Sequence, residues 1–324
     1  MNPLEISTLI GIVFAMGIAL VMGPALIPWL RRINAGQTIR DDGPQSHLGK
    51  SGTPTMGGII IITAVVVTVF LMAGWDAQAL AALAAMLAFG AIGFWDDYIK
   101  VVLKRSLGLR ARYKIILQLV VGIALILLLA YGGNRGTAVL IPFVGISVDL
   151  GWWYYPFLLF VLVGTPNAVN LTDGLDGLAT GVMAIVMAIL VILSWQSEQY
   201  GLAIFCGAVL GACLGFLVFN WHPAHVFMGD TGSMALGGAL AMVAAISQLE
   251  LALVMIGAVF VVEALSDIIQ VASFKLRGRR VLLMAPLHHH YELKGWSEVK
   301  VVFVFWTAAL VMGAIGYLSV YRFM

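Results

Sequence analysis

The chain has 324 residues, of which 61% are hydrophobic and only 10% are charged. This composition lies far outside that of soluble globular proteins and predicts an all-α, polytopic integral membrane protein. The formal net charge of +2 is too small to indicate a nucleic-acid partner. No stretch is left over for a soluble domain, so residues 1–324 are expected to form a single integral domain.

Apolar windows long enough to cross a bilayer predict ten helices, near residues 6–30, 54–74, 77–95, 114–131, 153–169, 178–195, 201–219, 233–248, 250–274 and 299–321. Most polar residues fall in five loops, at 31–53, 96–113, 170–177, 220–232 and 275–298. Of the 18 Lys and Arg residues, Arg40 and fifteen others lie in or beside these loops, and only Arg135 and Arg322 lie elsewhere. The positive-inside rule therefore predicts that the five loops are cytoplasmic and that both termini lie outside.

Two local patterns predict structure at helix ends. Thr53 is expected to cap the second helix, with Pro54 in its first position. On the outer side, residues 139–153 combine β-branched and aromatic residues with Pro142 and Gly145, which predicts a small hairpin.

Adjacent carboxylates, Asp96 and Asp97, end the third helix, and Lys100 lies one turn beyond Asp96. A surface ion pair between Asp96 and Lys100 is one interpretation. Adjacent carboxylates repel unless a cation or proton intervenes, which favours a metal or acid–base site. Three more aspartates lie in the cytoplasmic loops: Asp173, Asp176 and Asp230. Asp230 also fits a helix N-cap, but five aspartates among lysines on one face suit Mg²⁺ and phosphate groups.

The last loop contains three consecutive histidines, His288, His289 and His290. Zinc is a rival interpretation, although no Cys or second His cluster with finger spacing accompanies them. The imidazoles could instead hold a diphosphate or carry a proton. In the ninth helix, Glu263 and Gln270 share a face that we expect to turn into the bundle.

Together the loops predict a membrane-embedded, Mg²⁺-assisted phosphoryl transfer to or from a substrate that is partly lipid. A transporter is the alternative from another class of protein. It predicts ionisable residues near helix centres and inverted repeats, whereas most carboxylates here lie at helix ends.

Five motifs carry a family resemblance: P-T-M-G-G (54–58), D-D-Y-I-K (96–100), N-L-T-D-G-L-D-G (170–177), V-F-M-G-D-T-G (226–232) and P-L-H-H-H-Y-E (286–292). In this order they resemble the phospho-N-acetylmuramoyl-pentapeptide transferases, a branch of the polyprenyl-phosphate N-acetylhexosamine-1-phosphate transferases. The triple histidine favours this branch. A related UDP-N-acetylglucosamine:undecaprenyl-phosphate sugar-1-phosphate transferase is the close alternative.

The resemblance implies ten helices, a homodimer in the bacterial cytoplasmic membrane, and Mg²⁺ as cofactor. It implies transfer of phospho-N-acetylmuramoyl-pentapeptide from UDP-N-acetylmuramoyl-pentapeptide to undecaprenyl phosphate, giving lipid I and UMP. This is the first membrane step of peptidoglycan synthesis, and the family is inhibited by nucleoside antibiotics.

The resemblance also implies roles for single residues. Asp230 would be the principal Mg²⁺ ligand, Asp96 and Asp97 the catalytic pair, and the three histidines an essential cluster near the diphosphate or sugar. The uridine and inhibitor pocket would contain Lys50, Asn170, Asp173, Gly174, Leu175, Asp176, Asn220, Phe227 and Gln270, with Phe227 stacked on uracil. Thr55, Lys100 and Lys114 complete the expected substrate-binding set.

The chemistry of the acceptor favours a one-step reaction. A phosphate monoester has a second pKa of about 6, so the lipid phosphate is mostly dianionic at neutral pH and is already a nucleophile. We expect direct attack on the donor's β-phosphate, with Asp96 placing or deprotonating the nucleophile. The alternative is a two-step route through a carboxyl-phosphate intermediate. Gly174 and Gly177 are expected to let the backbone approach the nucleotide, and contact of Asp173 or Asp176 with the metal is left open.

Overall fold

A computed structural model describes residues 3–33, 50, 52–105, 107–132 and 135–323, and Arg40 of the first polar loop lies outside these ranges. The helices, in chain order, are α1 (Pro3–Arg32), α2 (Gly58–Met72), α3 (Ala77–Val101), α4 (Ala111–Gly132), α5 (Tyr154–Thr172), α6 (Leu178–Gln196), α7 (Tyr200–Asn220), α8 (Gly229–Ile246), α9 (Leu253–Ile256), α10 (Ala258–Arg277), α11 (Leu287–Leu293) and α12 (Glu298–Val320). Two short strands, β1 (Ala138–Ile141) and β2 (Ile146–Asp149), lie between α4 and α5.

The helices confirm an all-α polytopic membrane protein. Within the described ranges, eight helices are long and apolar enough to cross a membrane, namely α1, α3 to α8 and α12. Helix α2 has only 15 residues, and α10 carries charges such as Glu263 and Asp267. The total of ten spans and the outer location of both termini therefore stay predictions.

The buried core of the bundle is centred on α6, α7 and α8, whose side chains are mostly inaccessible to solvent. By contrast, α1, α4 and α12 expose many large apolar side chains. In a membrane protein such exposure is expected of helices that face lipid, because lipid tails are as apolar as leucine.

The predicted outer hairpin is confirmed, with β1 and β2 antiparallel and Ile141 opposite Ile146. Arg135 joins the hairpin to the end of α8: its guanidinium donates to the carbonyls of Ala138 and Ala245 and pairs with Glu250 at 2.6 Å. Because α8 ends at Ile246 and Asp230 lies in its first turn, this network marks the end of the bundle opposite the polar loops.

The second helix begins later than predicted, at Gly58, and Thr53 does not cap it. Backbone carbonyls of the fourth polar loop take that role instead. Gly57 N–H donates to Phe227 O and Gly58 N–H donates to Met228 O, both at 2.9 Å, while Phe227 N–H donates to Pro54 O at 2.8 Å. Residues 54–58 are therefore joined by backbone hydrogen bonds to 227–228, and two of the five motifs are in direct contact.

Helix α8 begins at Gly229, four residues earlier than the predicted 233, so Asp230 lies in its first turn. Here α3 and α8 approach so closely that only glycine fits. A Cβ at Gly93 of α3 would lie 2.0 Å from the backbone oxygen of Asp230. Small residues commonly allow such backbone approach between membrane helices.

Replacing Gly93 with Ala is therefore expected to push α3 away from α8. The clashing atom is a backbone oxygen, which cannot rotate aside. We therefore expect the free energy of unfolding to fall by about 1–3 kcal/mol, as is typical of overpacking. Thermal unfolding of the detergent-purified protein measures this loss of stability. The matched control is Gly164→Ala in α5, where no atom of the described part of the chain lies within 4 Å of the added Cβ. Equal unfolding temperatures for the two variants would contradict the close approach.

Candidate active site

The polar loops meet at one end of the bundle. Lys50 of the first loop contacts Asp176 of the third, Lys114 at the start of α4 contacts Asp230 of the fourth, and the ring of His288 in the fifth lies against Gly174. Residues that are more than a hundred positions apart in the chain thus form one polar surface.

Asp96, Asp97 and Asp230 form the acidic cluster. One carboxylate oxygen from each lies within 4.8 Å of the others. Asp96 and Asp97 are almost fully buried at the end of α3, and Asp230 is partly exposed.

Asp97 binds the first turn of α8. Its Oδ1 accepts from the backbone N–H of Asp230 at 3.2 Å, and its Oδ2 accepts from the N–H of Thr231 at 2.9 Å and the hydroxyl of Thr231 at 2.7 Å. The N-cap residue, Met228, offers no side-chain cap of its own. A carboxylate from another helix therefore satisfies N–H groups that a helix start leaves without partners.

Two lysines and one amide surround Asp230. Its Oδ2 lies 2.7 Å from Lys114 Nζ and 3.2 Å from Lys100 Nζ. Its Oδ1 accepts from Asn170 Nδ2 at 2.9 Å, and the same amide donates to Ser233 Oγ at 2.8 Å. Both oxygens are thereby fixed in direction.

Asp96 is held from two sides. Its Oδ2 lies 2.5 Å from Lys100 Nζ, the pair expected one helical turn apart, and its Oδ1 accepts from the N–H of Leu109 at 2.8 Å. Lys100 therefore bridges Asp96 and Asp230. The cluster holds three carboxylates and two ammonium groups. Its carboxylates offer only oxygen ligands, which suit a hard divalent cation such as Mg²⁺.

A second cluster, here called the Lys50 cluster, contains Lys50, Asp176, His222 and Glu298. Lys50 Nζ lies 2.7 Å from Asp176 Oδ1 and 2.6 Å from Glu298 Oε1. His222 Nδ1 lies 3.0 Å from Asp176 Oδ2 and 3.3 Å from Glu298 Oε2. The expected pocket residues Lys50 and Asp176 are thus in contact.

Asn220 and Gln270, both expected in the uridine pocket, bind backbone in the structure. Asn220 Oδ1 accepts from the N–H of Gly177 and the hydroxyl of Thr180, and its Nδ2 donates to Val226 O at 3.1 Å. Gln270 Oε1 accepts from two successive N–H groups at 281 and 282, and its Nε2 donates to the carbonyl of residue 282. Each amide therefore fixes a loop of the site.

The other expected pocket residues differ in exposure. Thr55 and Leu175 are buried, whereas Phe227 is half-buried. Gly177 has φ +76°, the left-handed conformation that glycine tolerates best, and it precedes α6. At Gly174, a Cβ would lie 2.2 Å from His288 Nε2, so the missing side chain admits the histidine ring.

The three histidines have separate partners. His288 is fully buried with Nδ1 3.0 Å from Glu263 Oε2, and its buried Nε2 has no hydrogen-bond partner among the described residues. His289 Nδ1 lies 2.7 Å from Glu292 Oε2, and His290 Nδ1 accepts from the N–H of Leu283 at 3.1 Å. Partial burial, with nearby Lys294, lowers the pKa of His290, which favours a neutral ring. In the described residues, the two groupings of close metal-ligand atoms do not include these histidines.

Asp173 is half-buried directly after α5, beside the acidic cluster. Burial raises its pKa well above the ordinary carboxyl value, and the negative charges of Asp230, Asp97 and Asp176 raise it further. Burial and the neighbouring negative charges therefore both disfavour the ionised form of this carboxyl.

Sequence reasoning noted His222 in the fourth polar loop, but it missed Glu298 and did not single out Thr231 as a site residue. Glu298 stands in the first turn of α12, where an acidic residue is expected simply to oppose the helix dipole. Its contacts with Lys50 and Asp176 span 248 and 122 positions, and no local pattern reports pairing over such distances.

The chain is similar in sequence to known transferases. Residues 79–248 match the model of glycosyl transferase family 4, and residues 50–62 match signature 1 of phospho-N-acetylmuramoyl-pentapeptide-transferase. Proteins named phospho-N-acetylmuramoyl-pentapeptide-transferase are similar over nearly the full length. That of Bacillus subtilis (strain 168) is 51% identical over 97% of this chain and 98% of the relative. That of Geobacillus kaustophilus is 54% identical over 94% and 96%, respectively.

The raised pKa of Asp173 predicts a pH-dependent effect of Asp173→Asn. Because this carboxyl has a higher pKa in the folded than in the unfolded chain, the wild type loses stability as the pH rises from about 4 through the folded-state pKa. Asn does not titrate. With EDTA present, the unfolding temperature of the variant should exceed that of the wild type near pH 8, and the difference should shrink toward pH 4.

The control for this experiment is Asp149→Asn in the outer hairpin. Hydrogen bonds from Thr137 and from the N–H of Gly151 lower the pKa of Asp149, so its loss should not stabilise the protein near pH 8. A difference between Asp173→Asn and the wild type that is constant with pH would contradict the expected titration.

Proposed function

Because the chain belongs to the family of phospho-N-acetylmuramoyl-pentapeptide-transferases, which are glycosyl-1-phosphate transferases, we propose a specific reaction for it. The chain transfers phospho-N-acetylmuramoyl-pentapeptide from its UDP carrier to undecaprenyl phosphate, with Mg²⁺ as cofactor. The products are lipid I and UMP, which makes this the first membrane step of peptidoglycan synthesis.

The acidic cluster is the observation that carries the proposal. Three carboxylates within 4.8 Å of one another could share a divalent cation, with Asp230 as the principal ligand. Bound there, Mg²⁺ would supply positive charge for the diphosphate of the donor. Lys100 and Lys114, which now contact Asp230, would become available to phosphate oxygens.

Asp96 is the group proposed to orient the acceptor. The lipid phosphate is already mostly dianionic, so its oxygen needs placing more than it needs a base. That oxygen forms a bond to the β-phosphorus of the donor, the bond between this phosphorus and the bridging oxygen breaks, and the electron pair leaves with UMP. Lys100, 2.5 Å from Asp96, offsets the repulsion between the carboxylate and the incoming phosphate.

A one-step transfer is favoured by the contacts of the carboxylates. Both oxygens of Asp97 accept hydrogen bonds from α8, and those of Asp96 face Lys100 and the N–H of Leu109. A carboxylate held in this way is a weak nucleophile, because attack would give up those interactions. Asp97 is therefore proposed to position Asp230 rather than to form a carboxyl-phosphate.

The donor's uridine is proposed to bind beside the Lys50 cluster, between Asp173 and the half-buried ring of Phe227, which would stack on uracil. His289 and His290 would face the diphosphate or the sugar. Nucleoside antibiotics would compete for the same pocket. Asn220 and Gln270 would act by holding the loops that line it.

The acceptor is proposed to use a cavity of about 470 Å³ between α10 and the segment that precedes α11. Its lining combines two cations, Lys275 and Arg280, and one carboxylate, Asp267, with apolar side chains such as Phe274 and Leu283. Positive charge beside apolar surface suits a phosphate on a prenyl chain.

The enzyme is further proposed to be a homodimer of the bacterial cytoplasmic membrane, with the polar loops facing the cytoplasm, where UDP-linked donors are made.

Measurement of UMP release tests the proposal. Purified protein with UDP-N-acetylmuramoyl-pentapeptide, undecaprenyl phosphate and Mg²⁺ should release UMP, and EDTA should abolish the release. UDP-N-acetylglucosamine in place of the donor should give none; release with that donor alone would identify the related sugar-1-phosphate transferase. No release with either donor would refute transferase activity.

Two further measurements test the role of Asp230 and whether the transfer takes one step or two. Asp230→Asn should lower kcat by about 10²–10³-fold, as loss of a charge-stabilising group does, while the outer control Asp149→Asn should match the wild type. With radiolabelled donor and no acceptor, acid-quenched protein should carry no label; stable labelling would support the two-step route.

A further inference from the structure

We infer that Glu298 is a positioning residue for donor binding, acting through Lys50 and the loop that contains Asp176. The inference rests on the proposed function, since it assigns Glu298 to the nucleotide pocket of that reaction. No motif of the family resemblance contains Glu298, which lies beyond the last of them.

Glu298 connects three segments that are remote in the chain. Its Oε1 accepts from Lys50 Nζ at 2.6 Å and from the backbone N–H of Asp176 at 2.7 Å. Its Oε2 lies 3.3 Å from His222 Nδ1. The side chain is only 10% exposed, so the first turn of α12 is fixed against all three segments.

The geometry gives Lys50 a direction. An ammonium group has three N–H donors, and Glu298 and Asp176 accept two of them. The third is then held toward the open side of the cluster, where Lys50 is 17% exposed. Without Glu298, the flexible four-carbon stem of lysine would let the charge move among several positions.

Glu298 also fixes the backbone of the nucleotide loop. The N–H that it binds belongs to Asp176, and the next residue, Gly177, precedes α6 in the left-handed conformation. Asp176 itself accepts from the N–H of Ala224 at 3.1 Å. The carboxylate of Glu298 thereby holds the 173–177 loop in the conformation in which Asp176 reaches both Lys50 and the fourth polar loop.

The acidic cluster shares no side chain with the Lys50 cluster. Asp96, Asp97 and Asp230 are bound by Lys100, Lys114, Asn170 and Thr231. Disturbing Glu298 should therefore weaken donor binding and leave the transfer step nearly intact. This separates a positioning role from a catalytic one.

Steady-state kinetics of Glu298→Gln test the inference. The amide keeps an oxygen for the N–H of Asp176 and removes the charge that holds Lys50, so the fold should survive. We expect the KM for UDP-N-acetylmuramoyl-pentapeptide to rise about tenfold, with kcat and the KM for undecaprenyl phosphate changed by less than twofold. Glu298→Asp, which keeps the charge, should show a smaller rise, and the exposed control Glu198→Gln none.

A double-mutant cycle with Lys50→Met identifies the path of the effect. If Glu298 acts through Lys50, adding Glu298→Gln to Lys50→Met should raise the donor KM little further. An unchanged donor KM in Glu298→Gln, a fall of kcat alone, or fully additive effects in the cycle would each overturn the inference. Absence of UMP release by the wild type is a separate outcome, which contradicts the proposed function instead.

Discussion

The binding of the first turn of α8 to the carboxylate of Asp97 is the interaction on which the site depends. It joins the end of α3 to the start of α8, and it can form only because Gly93 lets the two backbones approach. The consequence is chemical as well as structural. Asp230 follows the helix start and is placed beside Asp96, so two buried ends of helices bring together carboxylates that would otherwise repel.

In each cluster of the site, a lysine that bridges two carboxylates offsets the repulsion between them. Lys100 bridges Asp96 and Asp230, and Lys50 bridges Asp176 and Glu298. The proposed substrate, which carries a diphosphate, would contact the same lysines, and a divalent cation would contact the same carboxylates. These charges lie at helix ends, whereas a transporter is expected to carry ionisable residues near helix centres.

Local patterns in the sequence were enough to predict the membrane class, the outer hairpin, the Asp96–Lys100 pair and the grouping of polar residues into five loops. Helix starts were less predictable, because tertiary contacts replace local caps: α2 is capped by carbonyls of residues 227–228 and α8 by Asp97. The roles of single polar residues depend on partners remote in the chain. Nothing beside Glu298 in the sequence distinguishes it from an ordinary acidic residue at a helix start, and nothing beside Asn220 indicates that its amide binds the start of α6.

We propose that the acidic cluster, rather than the Lys50 cluster, is the cation site. Both groups of ligand atoms are close enough to hold an ion. The acidic cluster offers three carboxylates, whereas the Lys50 cluster offers two carboxylates and an imidazole, and Mg²⁺ prefers oxygen ligands. Titration of the purified protein with Mn²⁺, followed by electron paramagnetic resonance of the free ion, distinguishes them. We predict that Asp230→Asn abolishes tight Mn²⁺ binding and that Asp176→Asn retains it. Loss of binding in Asp176→Asn, with binding intact in Asp230→Asn, would contradict a cation site at the acidic cluster.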